Sequence, residues 1–336
     1  MFRRTTTAAV FDGYGGPEEV RIEEVPRPEA AGGQVVVKVV SAGVSHMDAY
    51  VREGRFQDAL RISLPSRQGV GFAGIVRNVG HGVTGLRVGD QVFGHDPAHG
   101  AHATHVAVDA GAVLKKPQRL SWEVAGALYL TGLTAYSLVQ SVRLHGDDVV
   151  LVSAAAGGVG HLECQLAALS GARVIGIAGR ENHDYLRSIG VRPVGYGDDL
   201  EEQVRKAAAG RPVTAMFDNY GRYDELAAAL GLAGDRFVST DRRRDREIEL
   251  WQAGADPSLL LQLRDVAELV SEWNVRVLVS GFYPFTSLDR ALEDLAQGHS
   301  RGVVVVGMDT TAPAPEYLRG KLRTHHEQQS GTASAD

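Results

Sequence analysis

The pattern of hydrophobic and polar positions changes near residue 120. Before that point, short β-branched runs alternate with turns that contain glycine and proline: VRIEEV, QVVVKVV, GIVRNVG, DQVFG and THVAV. Apolar and β-branched runs bounded by such turn residues are typical of strands. The pattern therefore predicts a compact, mostly antiparallel β domain over residues 1–120.

From about residue 121, apolar strands alternate with helical stretches. The strand-like runs are VVLVSA at 149–154, RVIGIA at 173–178, PVGYG at 193–197, AMFDNY at 215–220 and RFVST at 236–240. This rhythm is typical of a parallel sheet that is covered by helices on both faces. We therefore expect an α/β protein with a doubly wound domain over residues 121–265.

The remainder of the chain departs from this rhythm. The segment VRVLVSGFYPFTSLDRALEDLAQGHSRGVVVV returns to strand, helix and strand, and we expect residues 266–310 to complete the first domain. A sixth strand of the parallel sheet is hard to place, because REIELWQAG is the only candidate and it is charged. Residues 311–336 are rich in Thr, Pro, Ala and Ser and predict a disordered tail, since they bury too little apolar surface to fold.

Composition and charge narrow the function classes. With a net charge of −6 and a pI near 6.1, the chain lacks the overall positive charge typical of nucleic-acid-binding proteins. We interpret the short basic run RRRDR at 242–246 as a solvated loop. The single cysteine, Cys164, excludes an internal disulfide framework and fits a reducing cytoplasm. No apolar run has the length of a membrane span. The sequence indicates a cytoplasmic protein with a small-molecule substrate and neither nucleic-acid nor membrane partners.

The strongest chemical signal is a glycine-rich turn between the first strand and helix of the parallel sheet. The pattern Ala155-x-Gly157-x-x-Gly160 is a variant of the dinucleotide fingerprint, in which glycines let the backbone approach a pyrophosphate at the helix start. In isolation it could be only a tight turn, but its position after an apolar strand favours a nucleotide site. The predicted contacts are Ala155, Ala156, Gly157, Gly158, Val159 and Gly160.

The end of the second strand favours NADPH as the cofactor. NAD sites commonly place a carboxylate there, whereas this chain has Gly179 and Arg180. A guanidinium suits a 2′-phosphate, although Glu181 follows directly and Arg180 could be a plain surface charge. Tyr196, at the end of the third strand, either approaches the adenine or caps the sheet.

Taken together, these motifs resemble the medium-chain dehydrogenase/reductase superfamily, and within it the zinc-independent quinone oxidoreductase and enoyl reductase branch. The resemblance extends from about residue 8 to residue 308 and is carried by YGGPEEVRIEEVPRP, AGVSHMDAYVREG, FAGIVRNVG, GLRVGDQVFG, GLTAY, SAAAGGVGHLECQLAALSGARVIGIAG and SLDRALEDLAQGHSRGVVVV. It implies a GroES-like β domain, a Rossmann domain inserted within it, an active cleft between the two, and a homodimer.

The segment AGVSHMDAY, which we expect to form a reaction-site loop, departs from two branches of this superfamily. Zinc alcohol dehydrogenases look like Cys-His-x-Asp there and Gly-His-Glu further on, where this chain has SHMD at 45–48 and GVG at 69–71. Without the thiolate and the second imidazole, a catalytic zinc loses the ligands it prefers, so we expect no metal. Quinone oxidoreductases usually carry Asn-Pro in place of Ser45-His46, which leaves the substrate open.

A metal-free reductase must stabilise a developing enolate by hydrogen bonds. Tyr50 is the first candidate, because it matches the tyrosine of quinone reductases at this position. Ser45 as a neutral donor and His46 as a proton source are alternatives, and each of the three could instead be bonded to backbone. Asp48 is expected to brace this segment.

Further cofactor contacts are predicted at the edge of the cleft. Thr131, in LYLTGLTAY, falls where relatives place residues beside the nicotinamide or the phosphates. Asn219, Ser239 and Thr240 follow strands at the carboxyl edge of the parallel sheet, where ligands bind in such sheets. Phe282 belongs to the returning segment and could line the cleft.

The run HDPAHGAHATH contains four histidines, His95, His99, His102 and His105. Such a run invites a metal hypothesis. A pH-sensitive substrate contact is the alternative that we favour.

The preferred function is NADPH-dependent hydride transfer to a quinone or to an α,β-unsaturated carbonyl, either an enone or an enoyl thioester. A non-catalytic NADPH-binding redox sensor remains an alternative, as does a biosynthetic reductase or cyclase acting on one natural-product intermediate. We expect a homodimer, although the short stretch at 241–263 alters the sheet edge at which relatives pair.

Overall fold

The computed structural model of the protein describes residues 5–60, 62–298 and 300–308. Within them the predicted α/β fold class is confirmed, with one mixed sheet, one small sheet and one parallel sheet. The predicted disordered tail at 311–336 lies outside the described residues. No helix in the described ranges has the length and apolar character needed to cross a membrane.

Strands dominate the first part of the chain. Its elements are β1 (Thr5–Phe11), β2 (Arg21–Pro26), β3 (Gln34–Val44), α1 (His46–Arg52), α2 (Gln57–Leu60), β4 (Ser66–Arg67), β5 (Gly71–Val79), β6 (Gln91–His95), β7 (His105–Asp109) and β8 (Val113–Lys115). In the small sheet β1 lies between β2 and β4, and in the mixed sheet β3, β5, β6 and β8 follow one another antiparallel. β7 also pairs with β3.

The second part alternates strands and helices, as its hydrophobic pattern predicts. Its elements are α3 (Trp122–Val142), β9 (Val149–Val152), α4 (Gly160–Leu169), β10 (Arg173–Ile177), α5 (His183–Ser188), β11 (Arg192–Val194), α6 (Leu200–Ala208), β12 (Ala215–Phe217), α7 (Asp224–Ala229), β13 (Phe237–Val238), α8 (Thr240–Gln252) and α9 (Pro257–Ser271). The strands form a parallel sheet in the order β11-β10-β9-β12-β13. β9, buried along its whole length, lies at the centre.

The candidate sixth strand, REIELWQAG, is helical over most of its length and belongs to α8. Ser239 begins this helix as its N-cap by accepting a hydrogen bond from the backbone of Arg242. Glu247, Leu250 and Trp251 are its buried residues near the C-terminal end, a spacing that suits one face of a helix and not the alternation of a strand. The last predicted strand is shortened to β13 for the same reason, because the helix takes over at Ser239.

The closing segment returns to the mixed sheet. Its elements are β14 (Val279–Pro284), α10 (Leu288–Ala296) and β15 (Val303–Gly307). β15 pairs parallel with β14 and antiparallel with β3, so the end of the described chain and its early strands share one sheet. The boundary predicted at residue 265 falls inside α9.

α3 joins the mixed sheet to the parallel one through a close contact with β3. A Cβ added to Gly126 would lie 2.5 Å from the Ser41 hydroxyl oxygen, and one added to Gly43 would lie 2.8 Å from the Cα of Ala127. Glycine on both surfaces therefore lets helix and strand backbones nearly touch. The Ser41 hydroxyl donates to the carbonyl of Trp122 and ties the first turn of the helix to the strand.

α8 is held against α3 near its C-terminal end. The Tyr129 hydroxyl, on α3, donates to the carbonyl of Leu250 at 3.0 Å, and the ring of Trp251 is buried in the core that the two helices share with α9. The exposed fraction of Trp251 is 1%, whereas Trp273, after α9, is 71% exposed.

Trp251→Ala is expected to lower the free energy of unfolding by about 3–5 kcal/mol, because it removes a large buried ring and leaves a cavity. Trp273→Ala is the matched control and should change it by no more than about 0.5 kcal/mol. Urea unfolding followed by circular dichroism measures both. Equal effects of the two substitutions would contradict the packing described for α8.

Candidate active site

A cavity of about 380 Å³ separates the mixed sheet from the parallel sheet. Its wall brings together residues from the end of β3, α1, α3, the turn after β9, the turn after β12, α8 and the turn before β15. The predicted site residues that line it are Ser45, His46, Tyr50, Thr131, Gly157, Gly158, Val159, Gly160 and Asn219. Two charged residues that the sequence did not single out, Arg243 and Glu247, also line it.

The segment expected to be a reaction loop is the first turn of a helix, α1, with a capping box at its start. The hydroxyl of Ser45 donates to Asp48 Oδ2 at 2.8 Å and accepts from the Asp48 backbone, and Asp48 Oδ2 accepts from the Ser45 backbone at 2.7 Å. Two backbone donors that a helix start leaves unpaired are thereby satisfied. The proton of Ser45 is consequently engaged in the cap, while Asp48 braces the helix.

His46 and Tyr50 follow one turn apart on α1, and their ring centroids are 6.1 Å apart. Much of His46 is open to the cavity, yet the surrounding walls desolvate the ring and lower its pKa, and the charge of Arg243 lowers the pKa further. The imidazole is therefore neutral near pH 7. The Tyr50 ring meets Phe56 edge-on at 5.9 Å and lies under the guanidinium of Arg55.

The glycine-rich turn has the geometry of an anion cradle. A Cβ on Gly160 would lie 2.4 Å from the carbonyl oxygen of Ala154, so only glycine lets α4 start this close to β9. No side chain caps α4. The N–H groups of His161 and Leu162 donate to the carbonyls of Gly157 and Val159, whereas that of Gly160 has no partner among the described residues and is available to an anion. Gly157 and Gly158 form the adjoining cavity wall, while Ala155 and Ala156 are buried behind it.

Two contacts fix this turn in position. His161 is fully buried, and burial lowers its pKa to about 4, so the ring is neutral: Nδ1 donates to the carbonyl of Gly157 at 2.8 Å and Nε2 accepts from the backbone of Leu278. The backbone of Gly302, just before β15, donates to the carbonyl of Ala156 at 2.8 Å. The turn is thus attached to the segments that precede β14 and β15.

A polar network orders the end of β12. The Ser153 hydroxyl donates to Asp218 Oδ1 at 2.6 Å and accepts from the backbone of Asn219. The amide of Asn219 in turn donates to Glu163 Oε2 at 2.6 Å. Glu163, on α4, is fully buried, and burial raises its pKa to about 7, opposed by the hydrogen bond from Asn219. Asn219 is therefore held at the cavity wall by a carboxyl group that the sequence analysis did not identify.

Arg180 is exposed just after β10, which is compatible both with a contact to a phosphate and with a plain surface charge. The carboxylate of Glu181 folds back against Gly179, since a Cβ there would lie 2.1 Å from Glu181 Oε1. Arg301 reaches the same turn, where it donates to Asn182 Oδ1 at 2.6 Å and to the Glu181 carbonyl at 3.1 Å. Two guanidinium groups thus flank this edge, and only Arg180 was predicted for it.

Tyr196 belongs to an exposed aromatic group beside the same edge. It is 54% exposed, as is Tyr220, whose ring lies 6.1 Å from that of Tyr223. Partial burial raises the pKa of Tyr196, and the neighbouring Tyr220 and Glu181 add to this.

The remaining predicted residues take structural positions. Ser239 caps α8, and the Thr240 hydroxyl donates to the carbonyl of Asp218 at 2.9 Å. Phe282 lies on β14 with its ring against Gly307.

The interpretation of RRRDR as a solvated loop is wrong, because the run lies within α8 and Arg243 faces the cavity. Arg243 NH1 donates to Glu247 Oε1 at 2.6 Å, and the side chains are only 12% and 8% exposed. Burial raises the pKa of Glu247, opposed by the charge of Arg243. The i, i+4 spacing of the two residues was the available signal.

The four histidines of the 95–105 run have separate partners. His95 Nε2 lies 3.0 Å from the carbonyl of Gly254 and His99 Nε2 lies 2.7 Å from that of Trp251, whereas His102 approaches Gly43 and His105 approaches Thr6. In the described part of the chain, no group of three or more His, Cys, Asp or Glu residues is placed to hold a metal ion. Two of these histidines instead attach to the end of α8.

Known proteins share this architecture. A model described as the alcohol dehydrogenase GroES-like domain matches residues 31–118, and one described as zinc-binding dehydrogenase matches residues 195–306. Quinone oxidoreductase 1 of Escherichia coli (strain K12) is 33% identical over 222 residues, 64% of this chain and 66% of that protein. Quinone oxidoreductase of Rattus norvegicus is 34% identical over 176 residues, 51% and 52% of the two chains. The matched regions thus span between half and two thirds of these curated relatives.

Solved structures extend the likeness over most of the chain. The quinone oxidoreductase from Coxiella burnetii has a TM-score of 0.79 and 29% identity, covering 91% of this chain and 100% of that one. The Escherichia coli quinone oxidoreductase, solved in complex with NADPH, has a TM-score of 0.77 and 26% identity, covering 90% and 99%. Both similarities extend over the mixed and the parallel sheet.

Glu163→Gln is expected to flatten the dependence of stability on pH. The pKa of Glu163 is raised from 4.5 to about 7. Its contribution to the free energy of unfolding is therefore complete below pH 4.5 and is lost as pH rises through about 7. Replacement by a neutral amide, which can still accept from Asn219, removes this loss. The free energy of unfolding of the wild type relative to the variant should fall by about 2–3 kcal/mol from about pH 5 to about pH 8.

The measurement is urea unfolding at a series of pH values. Glu202→Gln, on the exposed face of α6, is the control and should leave the difference from wild type constant over the same range. A constant difference for Glu163→Gln as well would show that the carboxyl group titrates normally.

Proposed function

The chain belongs to the medium-chain dehydrogenase/reductase superfamily, in its quinone oxidoreductase branch, and from this premise we propose that it is an NADPH-dependent reductase of quinones or α,β-unsaturated carbonyls. The observation that carries the proposal is the shared cavity, whose wall holds both the uncapped start of α4 and the side chains of α1. A dinucleotide bound at the start of α4 would present its nicotinamide ring to a substrate beside α1.

The described residues fit NADPH. The glycine turn leaves room that a Cβ would fill, and the N–H group of Gly160 at the start of α4 suits a pyrophosphate oxygen. The Thr131 methyl group would lie 3.7 Å from a Cβ on Gly158, which places the threonine next to this turn. Arg180 and Arg301 are the cations for a 2′-phosphate. When bound, NADPH supplies a hydride.

A mechanism without zinc is favoured by the chemistry of the donors at α1. The hydroxyl of Ser45 and Asp48 Oδ2 bond to each other in the helix cap, and Ser45 occupies the position where a zinc site would carry a thiolate. Val70, which also lines the cavity, offers no ligand atom from its side chain. Zinc prefers thiolate and imidazole in such sites.

The reaction then depends on hydrogen bonds from the chain. As a hydride reaches the β-carbon of an enone, or the corresponding position of a quinone, negative charge develops on the carbonyl oxygen. Tyr50 lines the cavity, and under this proposal its hydroxyl donates to that oxygen.

The proposed function is tested by NADPH oxidation, followed by fluorescence, with 1,4-benzoquinone, 9,10-phenanthrenequinone, trans-2-hexenal and crotonyl-CoA. Turnover of at least one of these that survives dialysis against EDTA supports the proposal. Tight NADPH binding with no turnover would indicate the redox sensor instead, and loss of turnover to the chelator would indicate a catalytic metal.

Tyr50→Phe is expected to lower kcat about 10- to 100-fold while the dissociation constant of NADPH changes less than about twofold, because the phenol acts on the substrate oxygen and not on the cofactor. Stopped-flow turnover and fluorescence titration provide the two numbers. Tyr14→Phe, in which the lost hydroxyl bonds weakly to the Ile62 carbonyl outside the cavity lining, is the control. An unchanged kcat in Tyr50→Phe would remove Tyr50 from the mechanism.

Arg180→Gln is expected to raise KM for NADPH about 10- to 100-fold and to leave KM for NADH unchanged, since charge-assisted hydrogen bonds to the 2′-phosphate would be lost. Initial rates with each nucleotide measure the preference. Arg87→Gln removes a guanidinium that is 87% exposed on the β-rich part of the chain and should alter neither value. A parallel rise for both nucleotides would contradict the role of Arg180.

A further inference from the structure

α8 brings an ion pair into the wall of the cavity. The side chains of Arg243 and Glu247 leave the same face of the helix, one turn apart, and join at 2.6 Å. Both line the cavity together with His46 and Asn219. A surface pair at this spacing stabilises a helix only slightly, whereas a buried one must overcome the desolvation of two charges. Stability alone is therefore a weak reason for placing this pair here.

The hydrogen bonds of the pair are incomplete. Arg243 NH1 donates to Glu247, but Arg243 Nε and Glu247 Oε2 have no partner among the described residues. A guanidinium has five N–H donors in a rigid plane, and the described hydrogen bond of Arg243 uses only one of its terminal nitrogens. The Nε atom itself is shielded. Because Arg243 lines the cavity, an acceptor there can bond to the second terminal nitrogen, for which the described residues supply no partner.

The position of Arg243 is central to the cleft. Its charge acts on the His46 ring on one side and on the Glu163 carboxyl group, behind Asn219, on the other. It shares the wall of one cavity with α1 and with the glycine turn. Under the proposed function, this is the region in which the carbonyl oxygen of a substrate must lie while the hydride is transferred.

We propose that Arg243 is a catalytic residue that donates hydrogen bonds to the carbonyl oxygen of the substrate as this oxygen becomes negative, and that Glu247 is the positioning residue that fixes the guanidinium plane. The inference rests on the proposed function for the identity of the substrate. It adds a cationic donor to Tyr50, and a charged donor stabilises an oxyanion more strongly than a neutral one. The two residues approach the cavity from different helices, α8 and α1.

The step balances without a further reactant. A hydride, carrying two electrons, leaves the dihydronicotinamide and bonds to the β-carbon, and the π electrons of the enone move onto the oxygen held by Arg243. A proton from water in the cleft then adds to the α-carbon as the carbonyl re-forms, whereas a quinone takes the proton on oxygen. NADPH is oxidised by two electrons and the substrate is reduced by two. Arg243 keeps its own proton throughout.

The first experiment compares Arg243→Gln and Arg243→Lys with wild type. Arg243→Gln should lower kcat about 100- to 1,000-fold with the NADPH dissociation constant within about twofold, as for other lost oxyanion donors. Arg243→Lys, which keeps the charge but not the fork, should lose about 10-fold in kcat. Arg244→Gln, on the same helix but more exposed and paired to Asp241, is the matched control and should retain wild-type kcat. A kcat within twofold of wild type in Arg243→Gln would overturn the proposal.

A binding measurement distinguishes this inference from the proposed function. Bound to the complex with NADP⁺, 4-nitrophenol should ionise at lower pH than in water, and its absorbance reports the phenolate directly. Arg243→Gln should abolish this shift, and Glu247→Gln should reduce it while lowering kcat more than it changes KM. If the shift depends on Arg243 but no quinone or enone is turned over, the oxyanion donor stands and the proposed reaction fails. If turnover occurs and the shift survives in Arg243→Gln, the proposal for Arg243 fails.

Thermal denaturation of each variant separates these effects from misfolding. Arg243→Gln leaves Glu247 without its partner, so it is compared with the double variant Arg243→Gln/Glu247→Gln, in which the uncompensated charge is removed. The double variant should regain stability but neither kcat nor the phenolate shift. Recovery of kcat in the double variant would assign the loss to stability and overturn the catalytic role.

Discussion

The direct contact between α3 and β3 is the constraint on which the cleft depends. With glycine at 43 and at 126, the helix lies on the strand without intervening side chains, and the spacing is set by backbone atoms that cannot repack. α3 carries Thr131 toward the glycine turn on one side and Tyr129 toward α8 on the other. The same rigid helix, α3, therefore sets the width of the cavity and the positions of its nucleotide side and its substrate side.

The second constraint is electrostatic. Ionisable groups in and behind the cavity wall, Glu163, Arg243 and Glu247, are nearly or fully removed from water. Burial raises the pKa of both carboxyl groups, and the charge of Arg243 opposes this. In such a low-dielectric setting, fixed charges act strongly on whatever enters the cavity. Desolvation lowers the pKa of His46, and the charge of Arg243 lowers it further. A ligand that carries or develops negative charge near Arg243 would likewise interact with these charged groups.

The local parts of this organisation were predictable from sequence. The strand and helix rhythm of residues 149–238, the glycine turn and the exposed Arg180 all follow from patterns within a few positions of one another. The start of α1 was misinterpreted as a loop. The spacing of Ser45 and Asp48 is that of a capping box and was the signal for a helix at this point.

The parts that sequence could not provide depend on distant partners. α8 contains a charged run that suits a solvated segment equally well, and nothing within it reveals that Arg243 faces inward. That follows only from the bond between Tyr129 and Leu250 and from the burial of Trp251 in a core supplied by α3 and α9. Arg301 lies over a hundred positions from the turn that it reaches, and Glu163 finds Asn219 only once the parallel sheet has formed.

The two ends of α8 are fastened by residues that do not belong to the cavity. Ser239 caps its beginning, while side chains from elsewhere in the chain, those of Tyr129, His95 and His99, bind the carbonyls at and just beyond its end. The inward positions between these fastenings can be exchanged while the helix stays seated. Laboratory evolution that randomises only positions 243 and 247 would thus sample new substrate preferences without changing the rest of the fold.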